Sequence, residues 1–177
     1  FFEFMAKLEF LPNTPCLMNA GTDFQMLNGC FVLPVEDSLD NIFDTLKTAG
    51  VIEKFAGGVG FNFSKLRSRG SIISTTKGIS SGPVSFMGLF DKMTDVIKQG
   101  SKRRGANMGI LNADHPDILE FITCKNDPNV FTNFNISVGA TDKFMDAVLK
   151  NKKYEIVDPK TKEVVRKVGA RAIFDMI

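Results

Sequence analysis

The sequence predicts an α/β fold with a largely parallel sheet. Three observations lead there: short β-prone runs alternate with amphipathic helical stretches, helix-start residues precede the two longest stretches, and glycine clusters break the chain after them. No internal repeat, low-complexity tract or Pro/Ser-rich linker divides the 177 residues, so one continuous domain over 1–177 is expected.

In chain order, Phe31, Val32 and Leu33 form a β-prone run stopped by Pro34. Asp37-Ser38 then supplies an N-cap, worth on the order of 1 kcal/mol, for a helix with Leu39, Ile42, Phe43, Leu46, Ala49 and Ile52 on its apolar stripe. Gly57, Gly58 and Gly60 end that helix, and Val59 to Phe63 alternates as a strand does. A polar loop from Ser64 to Gly82 follows. Pro83 suits a first helical turn, where its missing N–H would have no partner in any case, and Val84, Met87, Phe90, Met93 and Ile97 carry the helical period. Gly100 to Gly105 breaks it. A strand over Ala106 to Leu111, a helix from Pro116 to Cys124, a strand over Phe134 to Val138 and a helix from Asp142 to Lys150 come next. Tyr154 to Val157 and Val164-Val165 read as a hairpin around Asp158 to Lys162, and Ala170 to Ile177 as a new helix. Because the chain opens on Phe1 rather than Met and stops inside that helix, a piece of a longer polypeptide, truncated at both ends, is expected.

Composition narrows the function. With 44% hydrophobic residues, 24% charged residues and a net charge of +2, disorder and collagen-like order are excluded, while 17 Phe against no Trp and one Tyr imply a phenylalanine-filled core. The charge is too even for bulk attraction to nucleic acid or an anionic bilayer, and neither is an expected partner. No stretch approaches the roughly 18 apolar residues of a membrane span, and no basic n-region opens the chain, so a cytoplasmic protein is expected. Cys16, Cys30 and Cys124 are far apart, odd in number and without C-x-x-C spacing, which argues against a disulfide scaffold and against a metal site.

Several segments could carry chemistry. Gly57 to Gly60 lacks the spacing and the following helix of a dinucleotide loop, and helix termination accounts for it better. Gln99 to Gly105 packs three cations between glycines, in a loop suited to an anion; a solvated basic turn at a helix C-terminus is the alternative. Arg67, Arg69 and Lys77 flank Ser74-Thr75-Thr76, a second set of donors for phosphate oxygens. Cys30 follows Asn28-Gly29 at a strand start, where the small neighbour opens the sulfur to a ligand, although burial is the commoner outcome for a cysteine. Cys16 and Cys124 read as packing residues. His115, the single histidine, heads a helix and is expected to cap it or lie at the surface.

Five ordered stretches together say more: LEFLPNTPCLMNAG (Leu8 to Gly21), NGCFVLPVEDSLDNIF (Asn28 to Phe43), GGVGFNFSKLRSRG (Gly57 to Gly70), SSGPVSFM followed by VIKQGSKRRGANMGIL, and FNISV with a following Asp-x-Phe-Met (Phe134 to Met145). In this order they resemble the large catalytic chain of ribonucleotide reductases, most of all the adenosylcobalamin-dependent class. The resemblance implies much of the first half of a ten-stranded α/β barrel. It implies reduction of ribonucleotides to 2′-deoxyribonucleotides by thiyl-radical chemistry, with adenosylcobalamin as cofactor of the full-length enzyme and a thioredoxin-like reductant.

Carried over residue by residue, the resemblance makes Cys30 one of the cysteine pair that reduces the ribose, Thr14 a holder of substrate phosphates and Gly29 the small residue beside the ribose. It makes Asp37, Ser38 and Leu39 contacts to the base and sugar of a deoxynucleoside triphosphate effector, and Arg67 a contact to its phosphate. Specificity loops are implied near 67–82 and 99–105. In the second, Arg103 reaches toward the substrate base, with Gln99 and Lys102 beside it. The helices over 38–55 and 83–99 match a homodimer interface. Cys16 replaces the usual Ser or Thr of the Asn-x-Pro turn, and Ser101 the usual Gly of the second loop. The radical cysteine, the partner of Cys30 and the terminal reductant cysteines are not in this sequence, so the piece alone is expected to be inactive. The alternatives are a reductase large chain served by a metal-containing radical subunit, or a non-catalytic nucleotide-binding or dimerisation module of the same fold.

Overall fold

Four strands pair in chain order, all parallel: β1 (Cys30–Pro34), β2 (Gly58–Asn62), β3 (Asn107–Asn112) and β4 (Phe134–Gly139). The computed structural model that shows this describes residues 1–23, 25–55, 57–73, 77–97 and 105–177. Between the strands run α3 (Leu39–Lys54), α4 (Pro83–Ile97) and α5 (Ile118–Thr123). Two short helices precede the sheet, α1 (Phe2–Ala6) and α2 (Thr14–Asn19). After it come α6 (Asp142–Leu149), the antiparallel pair β5 (Lys153–Val157) and β6 (Val164–Gly169), and α7 (Ala170–Phe174). The expected α/β fold with a parallel sheet is therefore present, with one antiparallel hairpin added. No helix among the described residues is long and apolar enough to cross a membrane.

Local chemistry explains the main boundaries. Ser38 caps α3, its Oγ accepting from the Asn41 N–H at 3.2 Å, and Asp40 and Lys54 complement the helix dipole at the two ends. Past α3, Gly57 N–H donates to Ile52 O, and a Cβ on Gly57 would stand 2.5 Å from Ile52 Cγ2. Glycine there ends the helix, as the sequence indicates. Gly50 lets α4 come close, since an added Cβ would already lie 3.1 Å from Ile97 Cδ1. The Asn13-Thr14-Pro15 turn opens a helix rather than standing alone: Asn13 Oδ1 accepts from the Cys16 N–H at 2.9 Å, and Pro15 fills the first turn.

The two faces of the sheet differ. Register places Val59, Asn107 and Phe134 in one row and Phe61 and Gly109 in another, on the face covered by α3 and α4. Phe61, Phe63, Phe90 and Phe134 interlock there, with the Phe61 and Phe90 rings 4.5 Å apart and Phe63 edge-on to Phe90 at 5.7 Å. The opposite face carries Cys30, Val32, Asn62, Met108 and Asn135, all exposed; Val32 is 84% exposed in the middle of its strand. Parallel sheets are normally covered on both faces; among the described residues this one is covered on one face only.

Candidate functional site

The parallel register puts every strand start along one edge of the sheet. Cys30 pairs with Gly58, and Gly58 lies against Ala106, whose carbonyl accepts from the Val59 N–H at 3.1 Å. Cys30 and the end of the glycine-bounded basic segment are thus neighbours two strand spacings apart, about 10 Å. Cys30 is exposed, so burial, the commoner fate of a cysteine, does not apply to it. Its immediate surroundings are a cleft of about 450 Å³ lined by Asn13, Thr14, Pro15, Asn28, Gly29 and Cys30. Gly29 packs beneath the Thr14-Pro15 turn, where an added Cβ would meet Pro15 Cγ at 3.4 Å. The structure therefore brings Thr14, Gly29 and Cys30 together, with the Thr14 side chain exposed at the rim.

The remaining described candidates gather at the opposite edge, beyond the ends of β1 and β2. Asp37 takes the Arg67 guanidinium in a fork: Oδ2 accepts from Nε at 2.9 Å and from Nη2 at 2.8 Å, while Oδ1 accepts from the Arg67 backbone N–H at 3.1 Å. The hydrogen bond to Asp37 holds the guanidinium pKa above its already high ordinary value. Ser38 is engaged as the cap of α3, and Leu39 is exposed beside it. Asp37, Ser38, Leu39 and Arg67 form one cluster, but five residues of extended strand, roughly 16 Å, separate it from Cys30. Gln99, Lys102 and Arg103 lie outside the described residues, as do Ser74, Thr75 and Thr76.

The loop after Arg67 is anchored by residues read differently from the sequence. His115 is buried, not at the surface: Nδ1 accepts from the Asp117 N–H at 3.0 Å, which fixes the proton on Nε2, and Nε2–H donates to Leu66 O at 2.9 Å. Neither expected role is found: the N-cap of α5 is Asp117, without a side-chain cap bond, and His115 instead ties the Asp117 N–H to Leu66 O. Asp117 Oδ2 accepts from the Arg69 N–H at 2.8 Å, and Arg69 pairs with Glu120 at 2.9 Å. Ile72 and Ile79 form an isolated antiparallel bridge across the loop. Cys124 packs against the core as expected, and burial pushes its thiol up to about 11, which keeps it protonated and inert.

Two features escape sequence inspection. Lys125 and Asn135 line a polar cleft of about 380 Å³ beside Gly105 and Ala106, on the Cys30 edge. Glu53, in the last turn of α3, is only 2% exposed and meets Thr94 of α4 and the start of β3. Its helical phase with Ile42 and Ala49 is the signal that would have found it, because a carboxyl in step with a buried stripe is unlike a solvated one.

Comparison with known proteins matches this geometry. Residues 28–176 match the ribonucleotide reductase barrel domain, and residues 1–25 match the ribonucleotide reductase all-alpha domain. The chain is 56% identical over its whole length to a vitamin B12-dependent ribonucleoside-diphosphate reductase of Thermoplasma acidophilum, of which it covers 23%. It is 47% identical over 98% of its length to the protein so named in Mycobacterium tuberculosis, covering 25% of it. Against a ribonucleoside-diphosphate reductase large subunit of Trypanosoma brucei brucei the figures are 35% identity, 90% of this chain and 20% of that protein. The chain thus spans about a quarter of the length of the curated relatives it matches. A parallel sheet with one face left open, an exposed cysteine on that face and a barrel-domain match over 28–176 agree: the chain belongs to the ribonucleotide reductase family.

Proposed function

We propose that this chain is the part of a ribonucleotide reductase that carries the reducing cysteine and the effector-reading segments, within the first half of the catalytic barrel. The observation that carries the reading is Cys30, exposed on the open face, at the lip of a cleft shared with Thr14 and Gly29. In the reaction a thiyl radical takes the 3′ hydrogen of the ribose and the 2′ hydroxyl leaves as water. Cys30 and a second cysteine supply two electrons and two protons, and close a disulfide that a thioredoxin-like reductant reopens. The Thr14 hydroxyl serves the substrate phosphates, and Gly29 leaves room for the sugar. The three cysteines are free thiols, which suits a cytoplasmic enzyme.

Adenosylcobalamin is the proposed cofactor: relatives named for vitamin B12 dependence are 56% and 47% identical, against 35% for one named only as a large subunit. It supplies the radical. The Cys30 cleft, lined by Asn13, Thr14, Pro15, Asn28, Gly29 and Cys30, suits a sugar and its phosphates, and no residue of this chain is assigned to the cofactor.

Asp37, Ser38, Leu39 and Arg67 hold a deoxynucleoside triphosphate at the far edge, and the loops near 67–82 and 99–105, with Gln99, Lys102 and Arg103, relay its identity to the substrate. An apolar groove of about 550 Å³ between α3 and α4, with Phe43 and Val51 exposed along it, supports homodimerisation through these helices. The test is Cys30→Ser in the complete reductase chain. Serine keeps the size but forms no disulfide, so repeated turnover is expected to stop. Turnover through many cycles at the parent rate would refute the assignment.

A further inference from the structure

α3 and α4 both start at the Asp37–Arg67 edge of the sheet and end at the Cys30 edge, and their far ends are tied together by buried polar groups. Thr94 Oγ1 lies 2.9 Å from Glu53 Oε1 and 2.9 Å from Phe90 O, and it accepts from Asn107 Nδ2–H at 2.7 Å. Thr94, Glu53 and Asn107 are all at least nine-tenths buried. Glu53 Oε2 has no hydrogen-bond partner among the described residues. It faces Gly105 instead: a Cβ there would stand 2.9 Å from Oε2 and 2.6 Å from Thr94 Cγ2. A side chain at Gly105 would have to displace the Thr94 methyl or the Glu53 carboxyl.

The hydrogen count favours a neutral Glu53. One hydroxyl offers one proton and two lone pairs. If Glu53 is ionised, its Oε1 and Phe90 O compete for the Thr94 proton. If it is neutral, its own O–H donates to Thr94, Thr94 donates to Phe90 O, and Asn107 fills the second lone pair. Burial also raises the Glu53 pKa, outweighing the lowering by hydrogen bonds from Thr94 and Asn107.

We propose that Glu53 is a positioning residue for substrate choice: with Thr94 and Asn107 it seats Gly105 on the joined ends of α3 and α4, so that a shift at their Asp37–Arg67 ends reaches the Cys30 row. This rests on the reading of the 99–105 segment as the link between effector and substrate. The coupling is mechanical. Gly105 lies beside a side chain of each helix, Glu53 of α3 and Thr94 of α4, and is followed by Ala106, which lies in the row with Gly58 and Cys30.

The test uses the complete reductase chain and the ratio of cytidine to guanosine diphosphate reduction, with and without each of the four deoxynucleoside triphosphates. Glu53→Gln, a neutral isostere, is expected to keep the parent's effector-dependent ratio within about twofold. Glu53→Asp, one methylene short of Thr94, and Thr94→Val, which deletes the hydroxyl at constant shape, are expected to flatten it by about fivefold or more, the lower end of measured site-to-site couplings. Basal reduction without effector is expected to persist in all three. If Asp and Val keep the parent ratio, or if Gln loses it as fully as they do, the inference is overturned. A parent whose ratio ignores every effector overturns the proposed function, and that is read before any variant is compared.

Discussion

Asp37→Asn isolates the fork that fixes the proposed effector edge. It keeps the side chain's size and removes its charge, leaving one acceptor oxygen where two receive Nε, Nη2 and the backbone N–H of Arg67. The amide that replaces the other oxygen turns donor toward donor. The two side chains are 23% and 19% exposed, so the loss lies between the 1 kcal/mol or less of an exposed pair and the roughly 3 to 5 kcal/mol of a fully buried one. About 2 kcal/mol is expected, a factor of about 30 in the local opening equilibrium. Hydrogen exchange over Phe63 to Gly70 in the complete chain reads it directly, because the Arg67 amide is itself bonded to Asp37. Exchange there is expected to quicken by about thirtyfold, with the β3 segment unchanged. An increase under about threefold would show that the fork is no stronger than a surface contact and cannot hold Arg67 ready for a phosphate.

Gly29→Ala adds a methyl in ordinary contact with Pro15, at 3.4 Å, so the fold is expected to tolerate it while kcat/KM falls by about ten- to a hundredfold as the cleft narrows; an unchanged kcat/KM would refute the cleft's role. Phe43→Glu places a charge on the exposed apolar groove and is expected to weaken a dimer at least about thirtyfold, as loss of a central apolar anchor does; sedimentation showing the parent's association unaltered would refute the interface. Burial raises Glu53 above its ordinary 4.5, so its contribution to stability is fully present below the unfolded value and is lost as pH rises through the folded one. Glu53→Gln is therefore expected to flatten the fall in Tm over that window, and an identical fall in the variant would refute the assignment to Glu53.

The strands and the long helices were legible because their signals are local: Pro34 and the glycines stop segments, Ser38 caps one, and Pro83 starts another. What the sequence leaves undecided is which face of a helix meets the core. In α3 the expected stripe includes Leu39 and Phe43, yet both are exposed, and the buried line runs through Ile42, Thr45, Ala49 and Glu53. α3 has two apolar faces, one for the sheet and one left open, and hydrophobicity alone does not rank them. Thr45 and Thr94 are buried because each has a specific acceptor, Pro34 O and Phe90 O, which no pattern of apolar residues reveals. At the candidate site, resemblance singled out Thr14, Gly29 and Cys30, which line one cleft, and only the parallel register shows that the basic segment ends in the same row as Cys30.

That register also explains why one small piece gathers its candidate residues in two separated places. In a parallel sheet every strand runs from one edge to the other and every crossover helix runs back. Groups after β1 and β2 therefore gather at one edge, where Asp37 and Arg67 meet, and groups before β1 and β3 gather at the other, where Cys30 and Gly105 stand. The sheet itself is a poor carrier of movement between those edges, since its ladder and phenylalanine layer admit little sliding. α3 and α4 are different: they span the same distance, pack closely at Gly50, and are joined at the Cys30 edge by one buried carboxyl. In the proposed coupling a shift at the capped end of α3 is carried to Glu53, whose carboxyl stands where a Cβ on Gly105 would meet it.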